Sequence, residues 1–137
     1  MRGGDLNGQS VRVTSTQRGN VELIRRALDS DTDALADNIV WHFQSPHPEP
    51  VTHFEGKDKV LKDWPRMLDD LTDGTFNKRA VDIWPVGEDL VVAHVEVEMT
   101  IGDVSHQGSS VVVYRLADGV VIEGFDIPSL SLLTGSD

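Results

Sequence analysis

Residues 111–128 read VVVYRLADGVVIEGFDIP, and this stretch decides the sheet around which the fold is built. Two apolar runs flank the turn ADG, a pattern typical of antiparallel strands joined by a tight turn. The second run reaches Asp126 and then ends at a proline. If the even-numbered positions from 120 onward face inward, Asp126 points into the interior, where an ionised acid is costly without a partner or a task. If the odd-numbered positions face inward, Asp126 is a solvated strand end.

Two further strands are predicted before this stretch, over residues 76–84 and 90–101, and its first run belongs to a strand over residues 106–116, with short turns between the strands. The strand LVVAHVEVEMTI alternates apolar residues with polar ones, which is the pattern of a half-buried strand. Its apolar positions, predicted to face the core, are Val91, Ala93, Val95, Val97, Met99 and Ile101. Four strands are therefore expected to follow one another in antiparallel succession.

The N-terminal half contains the helical patterns. Apolar spacing over residues 21–28 predicts one helix, and Ser30 with Asp33 forms a capping-box pattern that opens a second, short one. Residues 38–43 read as a strand, and the proline-rich residues 44–53 as a loop.

A third helix follows Gly56, with a kink expected at Pro65. The fold class is thus α+β, with three N-terminal helices packed on one face of a curved antiparallel sheet. We expect one domain over residues 16–130, between a flexible N-terminal tail, 1–15, and a C-terminal tail, 131–137.

Composition narrows the functional classes. The 137 residues include 23 Asp plus Glu against 12 Lys plus Arg, a formal charge of -11, so nucleic acid is not an expected partner. The absence of cysteine excludes disulfides, thiolate nucleophiles and zinc–thiolate sites. We find no signal-peptide pattern and no apolar run near the ~18 residues of a membrane span. We therefore expect a cytoplasmic protein without a membrane partner.

Four segments in this order, ALADNIVWHF, FEGKDKVL, EDLVVAHVEVEMT and VVVYRLADGVVIEGFDIP, resemble the SnoaL-like polyketide cyclase branch of the nuclear transport factor 2-like superfamily. The resemblance covers roughly residues 16–128. It implies a cone-shaped α+β barrel with an apolar pocket between sheet and helices. The superfamily includes polyketide cyclases, a steroid isomerase and small epoxide hydrolases, so the fold alone does not select the chemistry.

The sequence departs from two of these enzyme classes. The places where the steroid isomerases keep two acids correspond to Phe43 and Val112. The Arg and Asp that limonene-type epoxide hydrolases carry on the long strand correspond to Val95 and Val97. We therefore expect neither activity, and only the acid of the last strand, Asp126, has a counterpart here.

Two interpretations of Asp126 stay open. In an apolar interior its pKa rises toward neutral pH, which suits proton abstraction next to a carbonyl, as in the aldol cyclisation that the resemblance implies. Alternatively, the carboxylate caps the turn of the Asp-Ile-Pro segment by accepting backbone N–H groups.

The remaining pocket candidates are apolar or aromatic. Aromatic side chains are expected to form a wall for a small apolar or aromatic molecule, with Ser110 and the Tyr114 hydroxyl as orienting groups, although a purely structural core is the alternative. The predicted substrate-binding residues are Trp41, Phe43, Trp64, Val95, Val97, Ser110, Val112 and Tyr114.

Histidines do not indicate a metal. His42, His47 and His53 match no ligand spacing, so no metal and no cofactor is predicted. His47 or His53 either reaches over the pocket toward Asp126 or is an exposed loop residue.

The polar face of the long strand carries His94, Glu96 and Glu98. By the resemblance, this outer face forms a homodimer, with cations such as Arg115 between the glutamates, and solvent exposure is the alternative. Three functions remain: an enzyme of the cyclase or isomerase class using Asp126, a non-catalytic binder of an apolar metabolite, and an interaction module with a filled pocket.

Overall fold

A computed structural model describes residues 13–29, 31–43 and 52–129, apart from the side chains of Thr52 and Trp64. Two α-helices, α1 (Ser15–Leu28) and α2 (Trp64–Thr72), accompany six β-strands in these residues. The strands are β1 (Leu35–Phe43), β2 (Thr52–Glu55), β3 (Asn77–Val86), β4 (Leu90–Ile101), β5 (Val104–Ala117) and β6 (Val120–Pro128).

All six strands form one curved sheet in the order β2-β1-β6-β5-β4-β3. The hairpins β3–β4, β4–β5 and β5–β6 are antiparallel, as predicted, but β1 and β6 pair in parallel. The prediction of an all-antiparallel sheet is therefore wrong. Turn signals fix the direction of strands that follow each other in sequence, whereas β1 and β6 are separated by most of the domain and no turn relates them.

The helix α1 begins earlier than its apolar spacing suggests. Thr14 Oγ1 accepts a hydrogen bond from the Gln17 backbone N–H at 3.0 Å, and the Gln17 side chain accepts one from the Thr14 N–H. This reciprocal capping box starts the helix at Ser15, the last residue of the predicted tail. Leu23 and Ile24 bury its apolar face against the sheet.

Two helices are present where three were predicted. The segment expected to form the second is a single 3₁₀ turn, Thr32–Ala34, capped by Asp31, whose Oδ1 accepts the Asp33 N–H at 3.1 Å. The chain is extended again at Leu35, so β1 starts three residues before the predicted strand. The N-cap is Asp31 and not the predicted Ser30, and a single turn forms before β1.

Proline shapes the segment before α2. A π-helical turn, Lys59–Asp63, stands directly before α2 and places Pro65 in the first turn of the regular helix. Because proline lacks an N–H and its ring conflicts with the carbonyl four residues earlier, a wider turn accommodates it without a break. The irregularity predicted at Pro65 is thus a π turn that precedes it.

The loop predicted over residues 44–53 is shorter at its C-terminal end. Thr52 and His53 already belong to the edge strand β2, which pairs with β1, while residues 44–51 lie outside the described part. No helix in the described residues is long and apolar enough to cross a membrane.

The core lies between the inner face of the sheet and the two helices. Its fully buried members include Ile24, Ile39, Val91 and Val121. Along β4 the apolar alternation holds, since Val91, Ala93, Val95 and Val97 are all buried. The predicted inward phase of this strand therefore matches the structure.

Candidate functional site

The direction of Asp126 depends on a change of phase inside β6. Val121 is 0% exposed and faces the core, although it stands at an odd-numbered position. The pairing of β6 with β5 then slips by one residue at Ile122, a β-bulge, so that Gly124 and Asp126 face the same side as Val121. Of the two alternatives that the sequence left open, the one with even-numbered positions inward holds for Gly124 and Asp126. Before the bulge, the odd-numbered Val121 faces the core instead of positions 120 and 122.

Gly124 makes room for the indole of Trp41 on the neighbouring strand. Trp41 and Gly124 are register partners in the parallel β1–β6 pair. A Cβ at position 124 would stand 2.2 Å from Cζ3 of Trp41, closer than any real contact. Only glycine therefore allows the ring to lie across β6.

A small cavity lies on this inner side of the sheet, with a volume of about 40 Å³. Side chains from β1, β3, β4, β5 and β6 line one wall of the cavity, and side chains from α1, α2 and the residues after α2 line the other. Its lining residues are Leu28, Trp41, Leu68, Phe76, Lys78, Val95, Val97, Ser110, Val112, Tyr114 and Asp126.

Seven predicted site residues meet in this cavity. They are Trp41, Val95, Val97, Ser110, Val112, Tyr114 and Asp126. Phe43 stands beside Asp126 in the β1–β6 register and packs against the edge of the core, but it is not among the lining residues. The Trp64 side chain lies outside the described part of the structure.

Asp126 is held by a serine. Ser110 Oγ donates a hydrogen bond of 2.7 Å to Asp126 Oδ1. Burial raises the pKa of Asp126 above its ordinary value of 3.8, while the Ser110 hydrogen bond and the charge of Lys78 partly oppose that rise. The donor of this hydrogen bond is a side-chain hydroxyl, whereas the turn-cap interpretation requires backbone N–H donors.

Lys78 is the site residue that the sequence analysis missed. It pairs with Val97 in the β3–β4 ladder and so shares the inward face, at the mouth of the cavity. Part of the Lys78 side chain is exposed to solvent, but its amino group is surrounded by protein. This burial lowers the pKa of Lys78, and the negative charge of Asp126 partly opposes that decrease. Its inward direction follows only from the pairing register, because β3 has no clear apolar alternation.

Two of the aromatic residues that line the cavity carry a polar group. Tyr114 is buried. Its burial and, to a smaller extent, the negative charge of Asp126 raise the pKa of its hydroxyl, which therefore keeps its proton. Trp41 packs against Tyr114 with ring centroids 5.9 Å apart. The Nε1–H of Trp41 is buried and has no hydrogen-bond partner within the described residues.

His53 does not approach Asp126. It stands opposite His42 in the β1–β2 pair, on the outer face of the sheet, and its Nε2 lies 2.8 Å from Glu55 Oε2. The alternative in which His53 reaches over the pocket is therefore wrong, and His47 lies outside the described residues. The described residues contain no group of three or more side chains suited to bind a metal ion.

The polar residues of β4 are engaged within the chain. His94 Nε2 lies 3.0 Å from Ser109 Oγ, and Glu96 pairs with Arg79. Arg115 binds Glu123 at 2.8 Å instead of standing between the two glutamates. Within the described chain, these polar side chains therefore have intrachain partners.

Comparison with known proteins agrees with this geometry. The family model of the SnoaL-like domain matches residues 16–124. The chain belongs to the SnoaL-like domain family. This confirms the resemblance inferred from the sequence, and the α+β fold with its curved mixed sheet is the nuclear transport factor 2-like fold. No curated protein matches the chain in sequence.

Three solved structures show the same fold. Bal32a, from a soil-derived mobile gene cassette, is 17% identical, with 85% of this chain and 94% of that chain covered and a TM-score of 0.72. A Jannaschia sp. CCS1 protein called a SnoaL-like polyketide cyclase is 18% identical, with 88% and 92% covered and a TM-score of 0.68. An NTF2-like protein from Burkholderia thailandensis E264 is 16% identical, with 90% and 95% covered and a TM-score of 0.67. At these identities the likeness concerns the fold alone.

Proposed function

We propose that this SnoaL-like chain binds a small apolar or aromatic metabolite in the cone and transfers a proton with Asp126, in a reaction of the cyclase or isomerase type. The observation that carries the proposal is the placement of Asp126 on the inner sheet face, bonded to Ser110 and beside the cavity. A carboxyl group whose pKa is raised by burial is suited to take a proton from carbon and return it near neutral pH.

The surroundings of Asp126 support this role chemically. Val95, Val97 and Val112 exclude water from one side of the carboxylate. Lys78 at the mouth and Ser110 on the floor favour the ionised form, which is the form that accepts a proton. Exclusion of water thus raises the basicity of the carboxylate, while Lys78 and Ser110 partly oppose that rise and the Ser110 hydrogen bond orients the group.

A ligand must enlarge the cavity before it binds. Small-molecule pockets usually measure about 300–1,000 Å³, whereas this one is about 40 Å³. Leu28 ends α1, Leu68 lies in α2 and Phe76 follows it, so these three residues form the wall that the helical layer contributes. Movement of that wall away from the rigid sheet is the route that we propose for ligand entry.

Exchange of protons next to a carbonyl tests the proposed activity without knowledge of the natural substrate. Small cyclic ketones are incubated with the protein in D₂O, and loss of the α-proton signal is followed by NMR. We expect exchange above the buffer rate, falling by about 10²- to 10⁴-fold in Asp126→Asn. Exchange equal to the buffer rate across the ketone panel, or an undiminished rate in the variant, contradicts the proposal.

The small volume of the cavity favours an interaction module with a filled cone, and a non-catalytic binder that uses the same apolar lining is the further candidate. To a binder ketones bind saturably and no α-proton exchange appears. Saturable binding in a titration followed by tryptophan fluorescence, without exchange, separates the binder from the proposed enzyme.

The outer sheet face supports a homodimer. Trp84, Val111 and Ile127 are 40%, 38% and 49% exposed and point away from the core from β3, β5 and β6. Exposed apolar residues that share one sheet face are typical of an interface between copies. Partner packing there would cover them.

Light scattering after size-exclusion chromatography tests this association. We expect a dimer for the wild type and a monomer for Val111→Asp combined with Ile127→Asp. The matched control is Val104→Asp, since Val104 is also exposed, at 48%, but starts β5 at the turn from β4. A wild-type monomer, or dissociation of the control as well, contradicts the proposed interface.

A further inference from the structure

The indole of Trp41 is contacted by neighbouring residues on more than one side. Gly124 leaves the space above β6 empty, and the six-membered part of the ring fills it. Tyr114 packs against the ring on another side. Trp41 is only 9% exposed and lines the cavity that contains Asp126. The orientation of the indole is therefore fixed by its neighbours.

The polar atom of this ring lacks a partner. Trp41 Nε1–H is buried with no acceptor among the described residues. A buried donor without an acceptor loses its hydrogen bond to water and gains nothing in return, whereas phenylalanine would fill apolar space without that loss. Buried Trp N–H groups ordinarily find an acceptor. An acceptor supplied by a ligand explains why an indole stands here.

We propose that Trp41 Nε1–H is the donor that binds the oxygen atom of the ligand in this cavity. The inference rests on the proposed function, because it assigns the ligand a carbonyl oxygen at Trp41 and an adjacent C–H group at Asp126. When the Asp126 carboxylate takes that proton, the C–H electron pair forms the C=C bond of an enolate and the carbonyl oxygen gains the negative charge. Trp41 Nε1–H stabilises that oxygen, and Asp126 returns the proton to carbon.

Water is the competing occupant. A cavity of about 40 Å³ is large enough for a water molecule, and Trp41, Ser110 and Asp126 offer it polar partners. The experiment must therefore distinguish an N–H group that binds a ligand oxygen from one that keeps a resident water.

The indole resonances provide this distinction. The chain has three tryptophans, Trp41, Trp64 and Trp84, so ¹⁵N-tryptophan labelling gives three indole N–H signals, which single Phe variants assign. Cyclopentanone is titrated against methylenecyclopentane, which has a similar shape but no acceptor oxygen. We expect the ketone to move the Trp41 N–H proton downfield in a saturable way, the hydrocarbon to cause no downfield shift, and the Trp84 signal to stay constant.

The ketone and hydrocarbon titrations either support or overturn the role of the Trp41 N–H. A Trp41 signal that stays in place with the ketone, or that moves equally with the hydrocarbon, shows that the N–H keeps its water or binds nothing, and overturns the inference. In Trp41→Phe we expect the dissociation constant for cyclopentanone to rise about tenfold, as for the loss of one hydrogen bond. In Trp84→Phe it should not change. The wild-type titration decides the question even if Trp41→Phe does not fold.

The same titration separates this inference from the proposed proton transfer. In Asp126→Asn the ketone should still move the Trp41 signal, while α-proton exchange is lost. A saturable shift at Trp41 without exchange in the wild type contradicts the proton transfer and leaves the oxygen-binding role intact. Exchange that depends on Asp126 without any shift at Trp41 contradicts the oxygen-binding role alone.

Discussion

Ser110 Oγ and Asp126 Oδ1 lie 2.7 Å apart across the β5–β6 pair, in which Ser110 stands opposite Pro128, the last residue of β6. The hydroxyl donates to the carboxylate, which favours its ionised form against the burial that raises its pKa. This contact joins Asp126, the only acid among the described residues that line the cavity, to a side chain that is itself buried. It lowers the pKa of Asp126 against the larger effect of burial.

Removal of the serine hydroxyl should raise the pKa of Asp126 further. In Ser110→Ala the carboxylate loses a donor that favours its charged form, so burial acts with less opposition. The ¹³C chemical shift of the Asp126 carboxyl carbon, followed over pH, reports the change. Ser109→Ala is the control, because Ser109 bonds His94 on the outer face. An unchanged or lowered midpoint in Ser110→Ala means that the hydroxyl does not stabilise the carboxylate.

Removal of the Lys78 ammonium should act in the same direction. The charge of Lys78 favours ionised Asp126, so Lys78→Met should move the Asp126 titration to higher pH and the pH–rate profile of α-proton exchange with it. Lys62→Met, which removes an exposed lysine from the π-helical turn, should change neither. A Lys78→Met titration that overlays the wild type would remove Lys78 from the site.

Asp126→Asn should stabilise the fold at high pH. The folded-state pKa of Asp126 lies above the ordinary value of 3.8 because the group is buried, and each unit of that rise costs about 1.4 kcal/mol when the group is ionised. This loss of stability begins as pH rises past 3.8 and is complete above the raised folded pKa. The variant should therefore match the wild type near pH 3.5 and exceed it at pH 8.

Guanidinium chloride unfolding at the two pH values measures this difference in the free energy of unfolding. Asp103→Asn, at the exposed β4–β5 turn, serves as the control and should show the same stability relative to the wild type at both pH values. A variant that matches the wild type at pH 3.5 but is clearly less stable at pH 8 would make Asp126 a structural cap, and the acid–base role would be wrong.

Gly124→Ala should destabilise the protein. The new Cβ would meet the Trp41 ring at 2.2 Å, so the indole or the strand must shift, at a cost of about 1–3 kcal/mol or more. Gly19→Ala is a matched control at an exposed position of α1, where the added Cβ meets nothing within 4 Å, and it should stabilise by about 1 kcal/mol. In a Trp41→Val background the Gly124→Ala penalty should shrink. An unchanged penalty there means that the clash is not with the indole.

The sequence correctly predicted the structural features that depend on the order of residues within a short segment. Alternation placed Val95 and Val97 inward on β4, and the ADG turn joined β5 to β6 as an antiparallel hairpin. These features follow from the two-residue period of a strand and from turn chemistry, which act within a few residues.

The remaining features depend on contacts distant in sequence. The parallel β1–β6 pair and the inward direction of Lys78 arise from pairing register, which no short segment contains. The bulge at Ile122 changes the phase of β6, so parity counted from residue 120 agrees with the direction of Asp126 only by coincidence. The Trp41 N–H finds no partner among the described residues because of the three-dimensional packing around Gly124.

One comparison of midpoints tests the central claim that Asp126 is the acid–base group of this cone. The ¹³C titration of the Asp126 carboxyl gives the pH at which the group is half ionised, and the α-proton exchange rate of cyclopentanone gives the pH of half-maximal activity. The two values should coincide, and both should lie above the ordinary 3.8 of a free aspartate. An exchange rate that does not change across the Asp126 titration, or that persists in Asp126→Asn, contradicts the account.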